Sequence, residues 1–333
     1  MINIAINGFG RIGRLVLRAI YENQLQDRFN VVAINDPNPP ESMCHLFNFD
    51  SIHGTFPYPS SLENDHLIIQ QHKIPLFHSR SSNLPWKALD VDILFECSGH
   101  FTSKEKAGEH LAAGAKKVLI SAPGKAGVEH IVYGVNHHKI DPNWTIISNA
   151  SCTTNCLAPV LKALIDDGYT INNGLMTTIH AFTKDQCLVD APHRDLRRAR
   201  AASSSMIPTK TGAASAIGEV IPELRGKLDG LAIRVPTPNV SLVDVTLTLQ
   251  DPTTIDAINA TMKKHAQSSL KGVLDVCEQP LVSIDFNHNP HSSIVDLTQT
   301  RVIGGTTAKL LAWYDNEWGF ALRMLDTAAA WSN

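Results

Sequence analysis

Hydrophobic and polar positions along the first 150 residues fall into two alternating patterns, which predict strands followed by helices. Ile2–Asn7 is a short apolar run rich in β-branched residues, as in a buried strand. Apolar residues then recur at helical spacing over Ile12–Glu22, and further apolar runs follow at Asn30–Ile34 and Val91–Glu96. Strands that alternate with helices indicate an α/β domain built on a parallel, doubly wound sheet.

The same alternation continues toward the middle of the chain. Ser103–Ala113 has helical spacing, and Lys117–Ser121 is another apolar strand. Between them and the first strands, Pro57–Trp86 is more polar, and we predict there only a short hairpin of His66–Gln70 and Ile74–Phe77.

The second half of the chain has a different pattern. A helix is predicted from Cys152 to Asp167, another over Ile255–Ser268, and a last one over Leu322–Trp331 that packs back on the first domain. Apolar and polar residues alternate in the strands between them, as in an antiparallel sheet with one solvated or interface face. These strands are Asn173–Ile179, Leu231–Val235, Leu242–Leu249, Leu281–Phe286, Ile294–Asp296, Thr298–Val302 and Lys309–Tyr314.

The predicted fold class is therefore α/β, with two domains. Residues 1–150, completed by 316–333, form a Rossmann dinucleotide-binding domain, and residues 151–315 form an α+β catalytic domain with a largely antiparallel sheet. A chain of 333 residues fits this division.

A glycine loop between the first strand and helix predicts the cofactor. Gly8, Gly10 and Gly13 complete a G-x-G-x-x-G pattern, which permits a tight turn, close approach of a pyrophosphate and close packing of helix on strand. Asp36 ends the second strand, where a carboxylate binds the adenosine ribose hydroxyls and repels the extra phosphate of NADP. We predict NAD, with Ser121 lining the cofactor cleft.

Composition and charge narrow the classes of partner. The chain is 43% apolar and 18% charged, with a net charge of −3, so neither disorder nor a global attraction to nucleic acid or anionic membranes is indicated. The six cysteines have no disulfide or metal-ligand spacing, which predicts free thiols, a reducing compartment and no metal site. With no targeting segment at the amino terminus, we expect a cytoplasmic protein.

Cys152 is the predicted nucleophile, and His180 is its predicted base. The thiol stands at the start of a helix, where unpaired N–H groups and the helix dipole favour a thiolate. A helix of ~12 residues leads away from it and a strand of ~6 residues leads back, which returns His180 to its side. Cys156, one turn further on, is either packing or a resolving thiol, and Cys97 is either packing or a second reactive thiol.

Hydroxyls, a glycine and basic side chains follow His180 in loops. They lie in Thr183–Gln186, His193–Arg200 and Ser203–Gly212 and are the donors that an oxyanion such as phosphate requires. The arginine run has two alternative interpretations, a solvated helix face or a nucleic-acid patch, and the net negative charge disfavours the second.

The segment of residues 148–159, Ser-Asn-Ala-Ser-Cys-Thr-Thr-Asn-Cys-Leu-Ala-Pro, resembles the active-site signature of phosphorylating glyceraldehyde-3-phosphate dehydrogenases. The similarity runs along the whole chain. It includes Asn7–Arg14, Thr177–Gln186, Asp195–Ala202, Pro208–Ala214, Arg234–Asn239 and Trp313–Gly319.

This resemblance implies a set of roles. Cys152 would form a thioester with the aldehyde substrate, His180 would move the proton, and inorganic phosphate would release an acyl phosphate. The phosphate residues would be Ser151, Thr153, Thr211 and Gly212 for the attacking phosphate, and Thr183, Arg198 and Arg234 for the substrate phosphate. The NAD contacts would be Arg11, Ile12, Asp36, Arg80, Ser121 and Asn316. The resemblance also implies a homotetramer, in which the loop Asp185–Ser205 reaches a neighbouring subunit's cofactor.

Other functions remain as alternatives. Gln279–His288 and Thr298–Val302 are also similar to erythrose-4-phosphate dehydrogenases, but Thr183 and the Thr211-Gly212 pair favour the triose phosphate. A semialdehyde dehydrogenase would lack a substrate-phosphate site, and an NAD-binding regulatory protein would not need an intact cysteine and histidine.

Overall fold

The structure is a computed structural model that describes residues 1–125 and 127–332. The chain divides into two units that interleave in sequence. Unit 1 contains Met1–Ile131, His137–Ser151 and Ala321–Asn333, and unit 2 contains Val132–Asn136 and Cys152–Phe320. No helix within the described ranges is long and apolar enough to cross a membrane.

Unit 1 contains a parallel sheet with helices in its crossovers. The strands of unit 1 are β1 (Ile2–Asn7), β2 (Phe29–Asn35), β3 (Phe49–Asp50), β4 (Gly54–Thr55), β5 (Ser60–Glu63), β6 (His66–Ile69), β7 (His72–Phe77), β8 (Ile93–Glu96), β9 (Lys117–Ile120), β10 (Glu129–His130) and β11 (Ile146–Ser148). Of these, β3 and β4 pair with each other in a separate two-stranded sheet. Its helices are α1 (Arg11–Glu22), α2 (Pro40–Asn48) and α3 (Lys104–Ala112), with a 3-10 helix at His137–Lys139.

The nine-stranded sheet of unit 1 has the order β10-β11-β9-β8-β1-β2-β7-β6-β5. The strands from β10 to β7 pair in parallel, whereas β6 and β5 are antiparallel to their neighbours. The central strands are mostly apolar, with polar residues near their ends, because helices cover both faces of such a sheet. Leu94, Val118, Ala107 and Trp86 belong to one buried cluster on it.

Unit 2 contains a second sheet with helices packed on it. Its elements are α4 (Cys152–Asp166), β12 (Ile171–Ala181), β13 (Ile207–Lys210), α5 (Ala213–Val220), β14 (Leu228–Val235), β15 (Ser241–Leu249), α6 (Ile255–Gln267), β16 (Leu274–Cys277), β17 (Ser293–Asp296), β18 (Arg301–Ile303) and β19 (Thr307–Tyr314). Three 3-10 helices lie at Pro222–Leu224, Ser283–Phe286 and Leu297–Gln299, and α7 (Trp318–Trp331) leads into unit 1.

The sheet of unit 2 is mostly antiparallel, in the order β13-β14-β12-β15-β19-β17-β16 with β18 on β19. Two pairs, β12 with β14 and β16 with β17, are parallel. Helix α4 packs against α5, α6 and β17, and it is buried on nearly all sides, as expected of a core helix. Pro159 lies inside α4 without ending it, although its ring removes one backbone bond.

The last helix contacts the parallel sheet of unit 1. Thr327 donates to the Asn149 Oδ1 at 2.8 Å, and the Lys117 ammonium donates to the Trp331 carbonyl at 2.7 Å. Helix α7 begins at Trp318, four residues before the predicted start at Leu322.

Two predictions of secondary structure in unit 2 were wrong. The strand expected at Leu281–Phe286 is a loop and a 3-10 helix, because the Asp285 carboxylate accepts from the Val282 N–H at 2.8 Å and closes a turn. The strand expected at Thr298–Val302 is shortened to Arg301–Ile303 by a similar Asp296 turn. The hairpin predicted at His66–Gln70 and Ile74–Phe77 is confirmed as the antiparallel pair β6 and β7, and β7 also joins the main sheet by pairing in parallel with β2.

Candidate active site

Cys152 is the first residue of α4, as the sequence predicts, and the residue as a whole is partly buried. The turn that leads into the helix is strained, since Ala150 has a φ of 56°, in the left-handed region that non-glycine residues avoid. Strain of this kind persists where the surrounding structure holds the backbone and is common beside reacting groups. The turn presents the thiol at the helix start.

His180 lies near the end of β12, and the structure places it beside the cysteine. Its Nε2 is 3.5 Å from the Cys152 Sγ, within hydrogen-bonding distance of the sulfur. The imidazole itself is buried, with 4% of its surface exposed. The helix α4 and the strand β12 therefore return the base to the thiol, as the lengths of the two elements predict.

Arg234 is the third member of this group. It is paired with His180 across the parallel strands β12 and β14. Its Nη1 lies 2.7 Å from the His180 Nδ1 and 3.0 Å from the Ala181 carbonyl, which is itself 2.7 Å from Nδ1. A guanidinium can only donate, so Arg234 cannot donate to Nδ1 when Nδ1 carries the ring proton. In that tautomer Arg234 donates to the Ala181 carbonyl instead. That tautomer leaves Nε2 free to accept a proton from the thiol.

The electrostatics of the pair differ from the sequence expectation of a thiolate and an imidazolium. Burial raises the pKa of Cys152, although the charge of Arg234, the Thr153 hydroxyl and the backbone N–H groups at the helix start oppose this rise. Burial and the neighbouring Arg234 lower the pKa of His180 to about 3. These directions favour a neutral thiol and a neutral imidazole, and a neutral imidazole is the form that can act as a base.

Tyr314 is a member of this site that sequence reasoning missed. Its hydroxyl lies 2.9 Å from the Thr153 Oγ1 and 2.8 Å from the Thr178 Oγ1, and its ring packs edge-on to His180 at 6.0 Å. Thr153 follows the nucleophile, and Thr178 lies two residues before the base. Burial raises the pKa of Tyr314 well above its ordinary value, so the group remains a neutral phenol.

The residues predicted for the substrate phosphate cluster near Arg234. The Arg198 guanidinium contacts the Asp185 carboxylate and donates to the Thr209 hydroxyl at 2.8 Å. Burial lowers the pKa of Arg234, and charges on Cys152, Arg198 and Asp185 act on it as well, which places these groups in one neighbourhood. The Thr183 N–H is held by the Gln186 side chain at 3.2 Å. The Arg234 Nε is buried and has no hydrogen-bond partner in the described chain.

The residues predicted for inorganic phosphate lie at two helix starts. Ser151 and Thr153 flank Cys152 at the start of α4, and Thr211 and Gly212 precede α5, which packs against α4. The Thr153 hydroxyl is buried against Tyr314, so its available donor for an anion is the backbone N–H. Gly212 caps α5 without a side-chain bond.

The glycine loop of unit 1 has the shape that a dinucleotide requires. Gly8 has a φ of 95°, and a Cβ there would lie 2.4 Å from the Ser98 nitrogen. A Cβ on Gly13 would lie 2.2 Å from the Gly8 carbonyl oxygen, whereas one on Gly10 would meet nothing within 4 Å. The loop is thus closed on the protein side and open at Gly10, where backbone and helix N–H groups can receive a pyrophosphate.

The other predicted cofactor residues of unit 1 are distributed along the strand ends. Asp36 accepts from the Phe9 N–H at 2.8 Å and from the Asn38 N–H at 3.0 Å. Ile12 lies in the first turn of α1, Arg80 is exposed beyond β7, and Ser121 follows β9. Arg11 is engaged by the Asp50 carboxylate. In unit 2, Asn316 is buried and accepts from the Ser241 hydroxyl at 2.9 Å.

Comparisons with known proteins agree with this arrangement. The family model described as glyceraldehyde 3-phosphate dehydrogenase, NAD binding domain, matches residues 2–104, and that of the C-terminal domain matches residues 151–316. The plasmid-encoded glyceraldehyde-3-phosphate dehydrogenase of Cupriavidus necator is 55% identical over 99% of this chain and 98% of its own length. That of Pseudomonas aeruginosa is 54% identical over 99% and 98%, and glyceraldehyde-3-phosphate dehydrogenase 2 of Bacillus subtilis is 50% identical over 98% and 95%.

The chain belongs to the glyceraldehyde-3-phosphate dehydrogenase family. This membership confirms the resemblance drawn from residues 148–159, the α/β fold class and NAD as the cofactor. Within the described chain, no group of three or more His, Cys, Asp or Glu side chains is arranged to hold a metal ion.

Proposed function

We propose that the protein catalyses the NAD-dependent oxidative phosphorylation of glyceraldehyde 3-phosphate to 1,3-bisphosphoglycerate in glycolysis or gluconeogenesis. The observation that carries this proposal is the Cys152 thiol with the His180 Nε2 at 3.5 Å and Arg234 beside both, in a chain of this family. Relatives that match almost the whole chain carry the name of this activity. In this proposal, residues 1–150 together with 316–333 form the NAD-binding domain, and residues 151–315 form the catalytic domain.

Each chemical step has a residue to perform it. His180 takes the thiol proton, the Cys152 sulfur attacks the aldehyde carbon, and the proton moves onto the new hydroxyl to give a thiohemiacetal. His180 then removes that hydroxyl proton as a hydride leaves the same carbon, and the product on the cysteine is a thioester. NAD, when bound, supplies the hydride acceptor. Inorganic phosphate attacks the thioester carbon, the sulfur leaves as a thiolate, and an acyl phosphate departs.

Two sets of residues would hold the two phosphate groups. Arg234, Arg198 and Thr183 are proposed for the substrate phosphate; the contact of Arg234 with His180 and the electrostatic influence of Arg198 on Arg234 support this proposal. The start of α4, at Ser151 and Thr153, and the start of α5, at Thr211 and Gly212, are proposed for the attacking phosphate, since helix N-termini bind anions.

Cofactor binding is proposed for the residues that the sequence identifies. The glycine loop at Gly8, Gly10 and Gly13 would receive the pyrophosphate, with Asp36 on the adenosine ribose. The remaining proposed contacts are Arg11, Ile12, Arg80, Ser121 and Asn316. We also propose a cytoplasmic homotetramer.

One experiment compares specificity constants for glyceraldehyde 3-phosphate and erythrose 4-phosphate, each with and without inorganic phosphate. The proposal predicts a larger constant for the triose phosphate and dependence on inorganic phosphate. The similarity of residues 279–288 and 298–302 to erythrose-4-phosphate dehydrogenases makes the tetrose the second candidate. A larger constant for erythrose 4-phosphate would transfer the assignment to it.

A second experiment tests the nucleophile. Cys152→Ser should abolish oxidation, because a serine hydroxyl is far less acidic than a thiol and a weaker nucleophile even beside His180, while NAD still binds. NADH formation is followed by absorbance, and NAD binding by calorimetry. Retained turnover in the variant would remove Cys152 from the role of nucleophile.

A further inference from the structure

A line of buried polar side chains crosses the ends of adjacent parallel strands in unit 1. Glu96 ends β8, Asn7 ends β1 and Asn35 ends β2, and Asn7 is in register with both of the others. The Asn7 amide donates to the Glu96 carboxylate at 2.5 Å, and the Asn35 amide donates to the Asn7 side-chain carbonyl at 2.7 Å. We call Glu96, Asn7 and Asn35 the strand-end network.

The network continues past β2 to the end of β7. The Asn35 side-chain carbonyl accepts from the Ser79 N–H at 2.9 Å, and its amide donates to the Ser79 carbonyl at 3.0 Å. Ser79 directly precedes Arg80, one of the proposed cofactor contacts. One line of side-chain hydrogen bonds therefore joins the ends of four neighbouring strands, β8, β1, β2 and β7.

Glu96 is the only charged member of the strand-end network, and it has no exposed surface. Its Oε1 accepts from the Ser98 N–H at 2.8 Å and from the Ser98 hydroxyl. Its Oε2 accepts from Asn7 and lies 3.3 Å from the His110 Nε2. Each of these neighbouring groups can donate a hydrogen bond to the carboxylate, and a buried carboxylate requires such donors.

The orientation of His110 follows from its other neighbour. The Trp86 indole N–H, which can only donate, lies 3.3 Å from the His110 Nδ1. Nδ1 must therefore accept, and the ring proton sits on Nε2, from which it points at Glu96. His110 and Trp86 are both fully buried, so this arrangement holds the imidazole as a fixed donor to the carboxylate.

The strand ends joined in this way are those that precede the proposed cofactor contacts. Gly8 follows Asn7, Asp36 follows Asn35, and Arg80 follows Ser79. Gly8 also packs directly on the segment that Glu96 holds, since a Cβ on Gly8 would lie 2.4 Å from the Ser98 nitrogen. Elsewhere in β1 and β8 the inward positions are apolar and fully buried, as at Ile4 and Phe95.

We propose that Glu96 is a positioning residue for NAD, which acts through Asn7, Asn35 and Ser98 to hold the glycine loop, Asp36 and Arg80 in one arrangement. Backbone bonds already fix the register of the strands, and apolar side chains at these positions would stabilise the sheet at lower desolvation cost. The buried charge instead sets the geometry of the loops beyond the strands. This role rests on the NAD site of the proposed function.

The first test is Glu96→Gln, which keeps the shape and replaces one acceptor oxygen with a donor. The new amide must face either the Ser98 donors or those of Asn7 and His110. We expect the Kd for NAD, measured by calorimetry, to rise about tenfold or more. The kcat at saturating NAD and the rate of Cys152 alkylation without NAD should stay within about twofold of wild type, because neither depends on the affinity of unit 1.

A charge swap, Glu96→Gln with Asn7→Asp, separates positioning from general stability. The carboxylate then stands at position 7, where it accepts from the new amide at position 96 and from Asn35. His110 can donate to it as well, since its Nε2 lies 3.4 Å from the Asn7 Nδ2. We expect the swap to restore the Kd for NAD to within about threefold of wild type.

The matched control is Asp296→Asn in unit 2. Asp296 is 4% exposed and accepts from the Thr298 N–H, the Thr298 hydroxyl and the Trp313 indole at 3.1, 2.6 and 3.3 Å. This variant should lower the melting temperature without changing the Kd for NAD.

The outcomes are distinguishable. A folded Glu96→Gln variant with wild-type affinity for NAD, or a folded swap as weak as the single variant, overturns the positioning role. If Glu96→Gln does not fold, the affinity of the swap alone decides. Failure of the wild-type chain to bind NAD would contradict the proposed function itself.

Discussion

At the scale of single residues, the Tyr314 hydroxyl connects the nucleophile to the strand that carries the base. The Thr153 hydroxyl lowers the pKa of Cys152 and so donates toward its sulfur. A Thr153 hydroxyl that donates to the sulfur can accept from Tyr314, 2.9 Å away, and Tyr314 can then accept from Thr178, 2.8 Å away. Hydroxyls aligned in this direction polarise one another and favour negative charge at the sulfur.

Tyr314→Phe removes that hydroxyl and keeps the ring against His180. We expect kcat to fall about tenfold or more, because a hydrogen bond that supports a charged sulfur contributes about 1.5–3 kcal/mol. The pH at which iodoacetamide alkylates Cys152 should rise, since Thr153 loses the donor behind it. The rate of alkylation against pH is the measurement.

The control for this variant is Tyr169→Phe, whose hydroxyl contacts Thr253 at 3.3 Å outside the active site. It should leave both kcat and the alkylation profile at wild-type values. An unchanged profile in Tyr314→Phe would show that the hydroxyl line does not reach the sulfur.

The residues that sequence reasoning found and missed differ in a physical way. Cys152 and His180 carry a chemical signal, and the lengths of α4 and β12 are enough to predict that the two meet. Tyr314 carries none, because it ends an alternating strand where an aromatic residue is ordinary packing. The pKa directions of Cys152 and His180 depend on burial, which periodicity does not measure.

At the scale of elements, the parallel strands were predictable and the loops of unit 2 were not. Strands such as β1 and β8 are apolar at almost every position because both faces are buried. Leu281–Phe286 has the same alternation as a strand, yet the Asp285 side chain competes for a backbone N–H and forms a turn. Side-chain competition of this kind is decided by tertiary contacts.

The start of α1 is tied to β3 by a second buried carboxylate. Asp50 has a side chain only 3% exposed and is paired with Arg11, the first residue of α1. Burial raises the pKa of Asp50, but hydrogen bonds from Arg11, the His53 N–H and the Ile52 N–H outweigh it and lower the pKa to about 2. The pKa of an unfolded aspartate is about 3.9. The pair therefore stabilises the fold above about pH 5, and this contribution is lost as the pH falls toward 2.

Asp50→Asn should lower the free energy of unfolding by about 2 kcal/mol at neutral pH. The difference from wild type should shrink as the pH is lowered from about 5 to about 3, because the wild-type carboxylate becomes protonated on unfolding. Urea unfolding at several pH values measures it. Asp90→Asn, at a side chain 72% exposed in its pair with Lys116, is the control and should have no measurable effect. A difference that stays constant over this range would assign the loss to packing.

At the scale of the whole molecule, unit 2 exposes several large apolar side chains. Leu188, Val189, Leu196 and Met206 lie in or beside the loop after β12, and each is about 70–80% exposed. Leu175, on β12, is 70% exposed on the face of the sheet. Apolar surface of this extent on a sheet and a neighbouring loop is the composition of an interface between subunits. It supports the proposed homotetramer.

Replacing Leu175 or Leu196 with Asp should therefore weaken association. Burial of one leucine contributes about 1.5–3 kcal/mol, and a buried unpaired carboxylate costs more, so either change should shift the assembly toward smaller species. Sedimentation or light scattering measures the mass, which the proposal sets at four times the 36.4 kDa chain for wild type. Ile255→Asp, at a residue 39% exposed at the start of α6, is the control and should retain the wild-type mass. If the wild-type protein has the mass of a single chain at micromolar concentration, the proposed homotetramer is contradicted, and no subunit covers the exposed leucines.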